Sequence, residues 1–191
     1  MTIYAFPTIL TIFILNQFRS NMPETEKKAK IFVSYSHEDA GQMREFGKYL
    51  KVLELTGQAD VWMDGKLVAG TEWDPEIKAA LEKSDIILIL ITINSIISKY
   101  IKHVEMKRAY EKYADGSARV ICVILDECPW LQVPTGTLKE DGTPYLLKNF
   151  QAVKPNAMAI YDPNQPNLAS AMNTAYKQIE ASMKDFMAKK G

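Results

Sequence analysis

From Lys28 onward, short apolar runs alternate with segments in which apolar residues recur every three or four positions. The short runs are rich in β-branched and aromatic residues, so they predict five strands, at residues 30–35, 60–64, 86–91, 119–125 and 157–161. The run Ile86–Ile91 is apolar at every position, which is typical of a central parallel strand covered on both faces.

The segments between these runs have helical spacing. Residues 40–53 place apolar side chains on one helical face, and a helix over 74–83 has Pro75 in its first turn, where proline is tolerated. A further helix is predicted to follow Ile86–Ile91 directly, beginning near Ser98 and extending to about Tyr113. The last helix is predicted over residues 168–187, and residues 126–154 are predicted to be an irregular surface excursion. The alternation predicts an α/β fold, a flavodoxin-like doubly wound parallel five-stranded sheet flanked by helices.

The N-terminus has a different composition. Residues 3–15 are almost wholly apolar, yet the run is shorter than a membrane-spanning helix requires, and Pro7 interrupts it. Three interpretations stay open: a segment that contacts a membrane or partner, an apolar helix packed on the domain, or translated sequence upstream of a start at Met22. The last two are favoured. The predicted organisation is an extension over 1–27, one domain over 28–187 and a tail over 188–191.

Composition and charge exclude several classes of function. The 191 residues carry 23 Lys+Arg and 23 Asp+Glu, and this balance disfavours nucleic-acid binding. The cysteines Cys122 and Cys128 form no C-x-x-C pattern, and Cys122 lies in an apolar run as a predicted core residue. No metal site is predicted, and the absence of a disulfide scaffold fits a cytoplasmic location.

Glu105 is the main candidate for chemistry. Open α/β sheets bind ligands in the crevice where a strand ends and a helix begins, and Glu105 lies in the helix predicted after the central strand. A carboxylate there can point into the crevice. If the crevice binds a dinucleotide, this acid can hold a ribose hydroxyl and assist cleavage of a glycosidic bond.

Several motifs in a fixed order resemble the TIR domain (Toll/interleukin-1 receptor/resistance protein). The first is Ile31–Asp39 (IFVSYSHED), and the second is Val61–Asp64 (VWMD) followed by Gly70–Ile77 (GTEWDPEI). Ser84-Asp85, the apolar strand, Ser98 and then Glu105 with Ala109 complete the set. The resemblance covers residues 30–179, and the segment from Cys128 to Pro155 resembles bacterial members.

The resemblance implies that the chain belongs to one of two classes, NAD-cleaving enzymes or scaffolds that recruit other TIR domains. The enzymes use a glutamate in the helix after the central strand, which corresponds to Glu105. Many have a tryptophan four residues earlier; here Ile101 occupies that position beside Tyr100. His103 matches a histidine of some enzymatic members. NAD is then the substrate, and no cofactor is implied.

Further substrate contacts are expected at the first two strand ends. Tyr35 and His37 are candidates to line the ribose and adenine side of the crevice, and Ser34 and Ser36 are candidates to offer hydrogen bonds. Asp64 is a candidate to orient a ribose or the following loop, and Trp73 either packs or stacks on a base. The residues Gly65, Leu67, Val68 and Gly70 belong to a glycine-containing loop that, by resemblance, completes the site of a neighbouring subunit.

The predicted function is therefore NAD glycohydrolase or cyclase, giving ADP-ribose or a cyclic isomer. A free-standing domain of this kind resembles the signal-producing partner of Thoeris-type antiphage systems, with a separate sensor and a separate effector. The alternative is a non-catalytic adaptor or a virulence factor that binds host TIR domains. Nicotinamide release from NAD distinguishes the two.

Overall fold

A computed structural model describes residues 27–63, 75–98 and 105–190. Its centre is a parallel sheet of five strands: β1 (Ala29–Ser34), β2 (Ala59–Met63), β3 (Ile86–Ile91), β4 (Arg119–Ile124) and β7 (Gln151–Val153). They lie in the order β2-β1-β3-β4-β7. This sheet, with helices on both faces, confirms the predicted α/β doubly wound class.

The helices end close to their predicted limits. They are α1 (Ala40–Leu55), α2 (Pro75–Lys83), α3 (Ile93–Ile97), α4 (Met106–Ala114) and α5 (Leu168–Lys190). The face of α1 that the sequence predicted to be apolar is buried through Met43, Phe46, Leu50 and Leu53. The prediction that one helix directly follows β3 is wrong, because the short helix α3 intervenes before α4. Thr92 follows β3 and is the N-cap of α3. The side chains of Thr92 and Ser95 each accept a hydrogen bond from the other residue's backbone N–H, which forms a capping box.

Two hydrophobic cores lie on opposite faces of the sheet, because successive strand residues point to opposite sides. In β3, Leu88 and Leu90 pack with α1 and α5, whereas Ile87 and Ile89 pack with α2, α3 and α4. All six residues of β3 are buried. Cys122 is fully buried beside β3, as predicted, and burial raises the pKa of its thiol to about 12. Cys122 and Cys128 are both free thiols.

The region after β4 differs from its prediction. Residues 126–154 contain an antiparallel pair, β5 (Pro134–Leu138) and β6 (Pro144–Leu146), and also the fifth sheet strand β7. The predicted strand at 157–161 is therefore wrong. Asn156 and Ala157 have φ of 54° and 59°, a left-handed conformation that interrupts an extended chain. Ile160 and Tyr161 still bond the end of β4, donating N–H groups to Ile124 and Leu125 at 2.9 Å.

Within the described residues, every helix is too short or too polar to cross a lipid bilayer. Residues 1–26, to which three interpretations apply, lie outside the described part of the chain. The last helix continues to Lys190, three residues past its predicted end.

Candidate active site

Glu105 lies at the N-terminus of α4, at the carboxyl edge of the sheet. It occupies the position before Met106 with helical backbone angles (φ −69°, ψ −45°), and it is only 4% exposed. The Ser34 hydroxyl, on the last residue of β1, donates a hydrogen bond to Oε2 of Glu105. A central strand and the helix that carries the acid are thereby joined at the carboxyl edge of the sheet.

The alternation of β1 explains why Ser34 reaches Glu105. Ile31 and Val33 belong to the core beneath α1 and α5, whereas Phe32 belongs to the core that includes α4. Ser34 is two residues beyond Phe32 and therefore points to the same side of the sheet. The sequence predicted a hydrogen-bonding role for Ser34 but not its partner. On this face of β1, Lys30 is exposed, so Ser34 is the buried polar residue.

One contact of Glu105 favours its negatively charged form. The Ser34 hydroxyl is a donor that bonds more strongly to an ionised than to a neutral oxygen. This arrangement suits a group that must remain a carboxylate while positive charge develops on a substrate.

A second buried carboxylate, Asp39, joins the ends of β1 and β3. It is 6% exposed; Thr92 Oγ donates to its Oδ2 at 2.5 Å, and Asn94 Nδ2 donates to its Oδ1 at 2.7 Å. Both donors are neutral. Asp39 was part of the first motif in the sequence but was not assigned a role. Its contacts fix the loop after β1 against the loop after β3, on either side of the crevice.

The three candidates after β1 lie on that fixed loop. Tyr35 packs against the core, and its ring centroid is 6.1 Å from that of His37. Ser36 accepts a backbone hydrogen bond from Asp39 at 2.9 Å. The His37 Nε2 atom is buried and has no hydrogen-bond partner among the described residues. An unpartnered ring nitrogen beside a crevice is suited to bonding a ligand.

The end of β4 contributes a further link. Gln42 Nε2 donates to Asp126 Oδ1 at 2.8 Å, and the Tyr161 hydroxyl donates to the Gln42 carbonyl at 3.3 Å. Burial raises the pKa of Tyr161 to about 12, with the carboxylates of Glu45 and Asp126 acting in the same direction. Tyr161 therefore stays a neutral donor. The start of α1 is thereby joined to the segment that follows β4.

The remaining predicted site residues lie outside the described part of the chain. They are Asp64, Trp73, Tyr100, Ile101 and His103 of the substrate set, and Gly65, Leu67, Val68 and Gly70 of the assembly loop. Their roles stay predictions. Across the described residues, no cluster of three or more His, Cys, Asp and Glu side chains is arranged to hold a metal ion.

Two open grooves occur elsewhere on the described surface. One, of about 250 Å³, lies along the edge strand between Lys30, Trp62 and Ser84. The other, of about 510 Å³, lies beside Arg119, Gln151 and Ser182. Neither includes Glu105 or Asp39. The buried carboxylates, rather than the size of these grooves, therefore identify the candidate site.

Comparison with known proteins agrees with this geometry. The family model described as "TIR domain" matches residues 31–151, which is well over half of the chain and includes Ser34, Asp39 and Glu105. The uncharacterized protein y4lF of Sinorhizobium fredii is 37% identical over 117 residues. The match covers 60% of this chain and 36% of that protein, so this chain spans about a third of its relative's length. The chain belongs to the TIR domain family.

Proposed function

We propose that this TIR domain cleaves the bond between nicotinamide and ribose in NAD, with Glu105 as the catalytic residue. The observation that carries the proposal is a buried carboxylate at the start of α4, held by a hydroxyl from β1 at the carboxyl edge of a parallel sheet. Ligands of doubly wound sheets bind at this edge. A buried acid is seldom kept there for stability alone.

The chemistry requires little more than this carboxylate. The ribose C1 is bonded to a positively charged nicotinamide nitrogen, so the leaving group departs neutral and needs no proton. As the bond breaks, positive charge develops on the ribose, as in other glycosidic cleavages. An ionised Glu105 offsets that charge and accepts a hydrogen bond from a ribose hydroxyl. Such preorganised electrostatic stabilisation is commonly the largest catalytic contribution.

Substrate binding is proposed to use the loop after β1. His37 Nε2, which is buried without a partner among the described residues, supplies a hydrogen bond to the ribose or phosphate oxygens. Tyr35 and Ser36 line the same wall, and Tyr100, Ile101 and His103 precede Glu105 in the sequence. Attack by water gives ADP-ribose, whereas attack by the adenine or by a ribose hydroxyl gives a cyclic isomer.

The direct test incubates concentrated protein with NAD and measures nicotinamide by chromatography. Glu105→Gln removes the charge while keeping the shape, and release should fall to background. Glu111→Gln is the matched control, because Glu111 lies on the same helix but bonds Arg108 at 2.8 Å on its outer side. Activity that persists in Glu105→Gln, or that is lost equally in both variants, would contradict the proposal. Mass spectrometry separates ADP-ribose from a cyclic product, which lacks one water.

Self-association is part of the proposed mechanism. TIR domains commonly associate through TIR–TIR contacts, and the loop containing Leu67 and Val68 is proposed to complete a neighbour's site. Specific activity should then rise with protein concentration, and charged residues at both positions should lower it. Activity per molecule that is independent of concentration would mean that each subunit holds a complete site.

In the cell, the proposed role is cytoplasmic antiphage signalling, with a separate sensor and a separate effector for the product. The competing function is a non-catalytic adaptor or a virulence factor that binds other TIR domains. Ile101, in place of the tryptophan of many enzymatic members, favours the adaptor, and so do the exposed side chains of Ile93 and Ile97 beside the crevice. Nicotinamide release from wild-type protein decides between these functions.

A further inference from the structure

We infer that Ser34 is a positioning residue for Glu105, holding its carboxylate in the orientation that the reaction requires. This inference rests on the proposed function, since it assigns a task within the same site. The observation is the hydrogen bond from Ser34 Oγ to Glu105 Oε2, which joins residues 71 positions apart in the sequence. Both side chains are 4% exposed.

Ser34 stands on a rigid support. It ends β1, which lies between β2 and β3 in the sheet, and it pairs in register with Ile89 of the fully buried strand β3. Glu105 lies on a different element, directly before Met106 of α4. A donor fixed by the sheet therefore defines where one carboxylate oxygen lies.

The orientation of a glutamate carboxylate otherwise varies. Its terminal torsion is broad and roughly two-fold, so packing alone does not fix the plane of the two oxygens. A bond to Oε2 selects one plane for the carboxylate. Reacting groups that are displaced by about 1 Å lose about 100-fold in rate. Ser34 thus acts on the rate of bond cleavage through Glu105, without touching the substrate.

A structural role for Ser34 would predict different behaviour. If the hydroxyl only satisfied a buried carboxylate, its loss would lower the midpoint of unfolding without changing turnover per folded molecule. The test compares Ser34→Thr with Ser34→Val, two side chains of nearly equal shape that differ in the hydroxyl. Ser34→Ala removes the hydroxyl without adding bulk, so it replaces the comparison if the threonine and valine variants do not fold. Ser84→Ala is the control, because Ser84 is 2% exposed and its hydroxyl bonds the Leu81 carbonyl at the opposite edge.

Steady-state kinetics with NAD, alongside circular dichroism of each variant, decides the outcome. We expect Ser34→Val and Ser34→Ala to lower kcat about 10- to 100-fold with little change in KM, and Ser34→Thr to restore most of it. Equal kcat for the threonine and valine variants, or for wild type and Ser34→Ala, overturns the positioning role while the function of Glu105 stands. Wild-type protein that releases no nicotinamide overturns the proposed function and this inference together.

Discussion

Buried charged groups have different partners at the two ends of the parallel strands, here called the amino edge and the carboxyl edge of the sheet. At the amino edge, Asp85 accepts the Lys30 backbone N–H at 2.9 Å and pairs with the Lys190 ammonium at 2.8 Å. At the carboxyl edge, Asp39 accepts only from a hydroxyl and an amide among the described residues, and Glu105 accepts from the Ser34 hydroxyl.

A second charged group at the amino edge, the ammonium of Lys112, donates three hydrogen bonds. The ammonium of Lys112, which is 3% exposed, donates to the carbonyl oxygens of Leu81 and Ser84 at 3.1 and 2.9 Å. A third bond to the Glu82 carbonyl completes a cap on the C-terminus of α2. A lysine of α4 therefore terminates α2, where the helix dipole favours a cation.

This difference separates stability from function. Charges that neutralise each other or satisfy helix carbonyls hold elements together but cannot engage a ligand without losing those contacts. The hydroxyl and amide donors of Asp39 and the Ser34 hydroxyl on Glu105 carry no opposing charge. We therefore expect variants at the amino edge to change stability and variants at the carboxyl edge to change activity.

The largest expected effect is on activity at Glu105. Glu105→Gln should reduce nicotinamide release about 1,000-fold or more, since it removes the charge that offsets the transition state. Its free energy of unfolding should stay close to wild type, because the amide keeps the shape and still accepts from Ser34. A large decrease in the free energy of unfolding, measured with urea, would instead indicate that Glu105 stabilises the fold, as Asp85 and Lys112 do.

Asp85→Ala should give the largest loss of stability. It removes the acceptor of the Lys30 backbone N–H and the partner of Lys190, whose side chain is about one-third exposed, and leaving that N–H without an acceptor costs about 1–3 kcal/mol. Urea unfolding followed by circular dichroism measures this change. Turnover per folded molecule should match wild type. A fall in kcat would contradict the expectation that variants at the amino edge change stability and not activity.

Lys112→Met should destabilise the protein by about 1–2 kcal/mol, since three helix-end carbonyls lose their donor. The effect is smaller than at Asp85 because the substitution also removes a desolvated charge, and that desolvation lowers the pKa of Lys112. Thermal unfolding of Lys112→Met beside Lys107→Met, a change at an exposed position of the same helix, checks the assignment. Equal unfolding midpoints for the two variants would contradict it.

His37→Ala should raise the KM for NAD a few-fold with a small change in kcat, since one neutral hydrogen bond contributes about 1 kcal/mol. His37→Gln retains a donor and should recover part of the loss. Initial rates over a range of NAD concentrations measure both parameters. An unchanged KM in His37→Ala would show that His37 does not bind NAD.

The smallest effect concerns pH. Hydrogen bonds from Arg108 at 2.5 and 2.7 Å lower the pKa of Glu82 below its ordinary value of 4.5. A carboxyl whose pKa is lower in the folded than in the unfolded state stabilises the fold above the unfolded value. That contribution is lost as pH falls from about 4.5 through the folded value. Unfolding midpoints of wild type and Glu82→Gln should therefore converge on acidification; a constant difference would show that the pair contributes nothing.

The outcome for individual elements shows what local pattern can predict. The strand at 86–91 and the helix predicted over 40–53 were predicted closely, because all of β3 is buried and α1 buries one face through Met43, Phe46, Leu50 and Leu53. The fifth strand was misplaced because Gln151–Val153 has only three residues and one buried side chain, a pattern too short to recognise. Ala157–Tyr161 is more apolar, but its first residue and the preceding Asn156 are left-handed.

The sequence by itself determined the class of sheet and the TIR family, because periodicity and the order of motifs depend on residues close together in the chain; Glu105 as the catalytic residue stays a prediction. Tertiary structure alone decided that Ser34 bonds Glu105 and that Asp39 bonds Thr92 and Asn94. Those partners are 71, 53 and 55 residues apart, and they meet only because parallel strands bring their carboxyl ends to one edge.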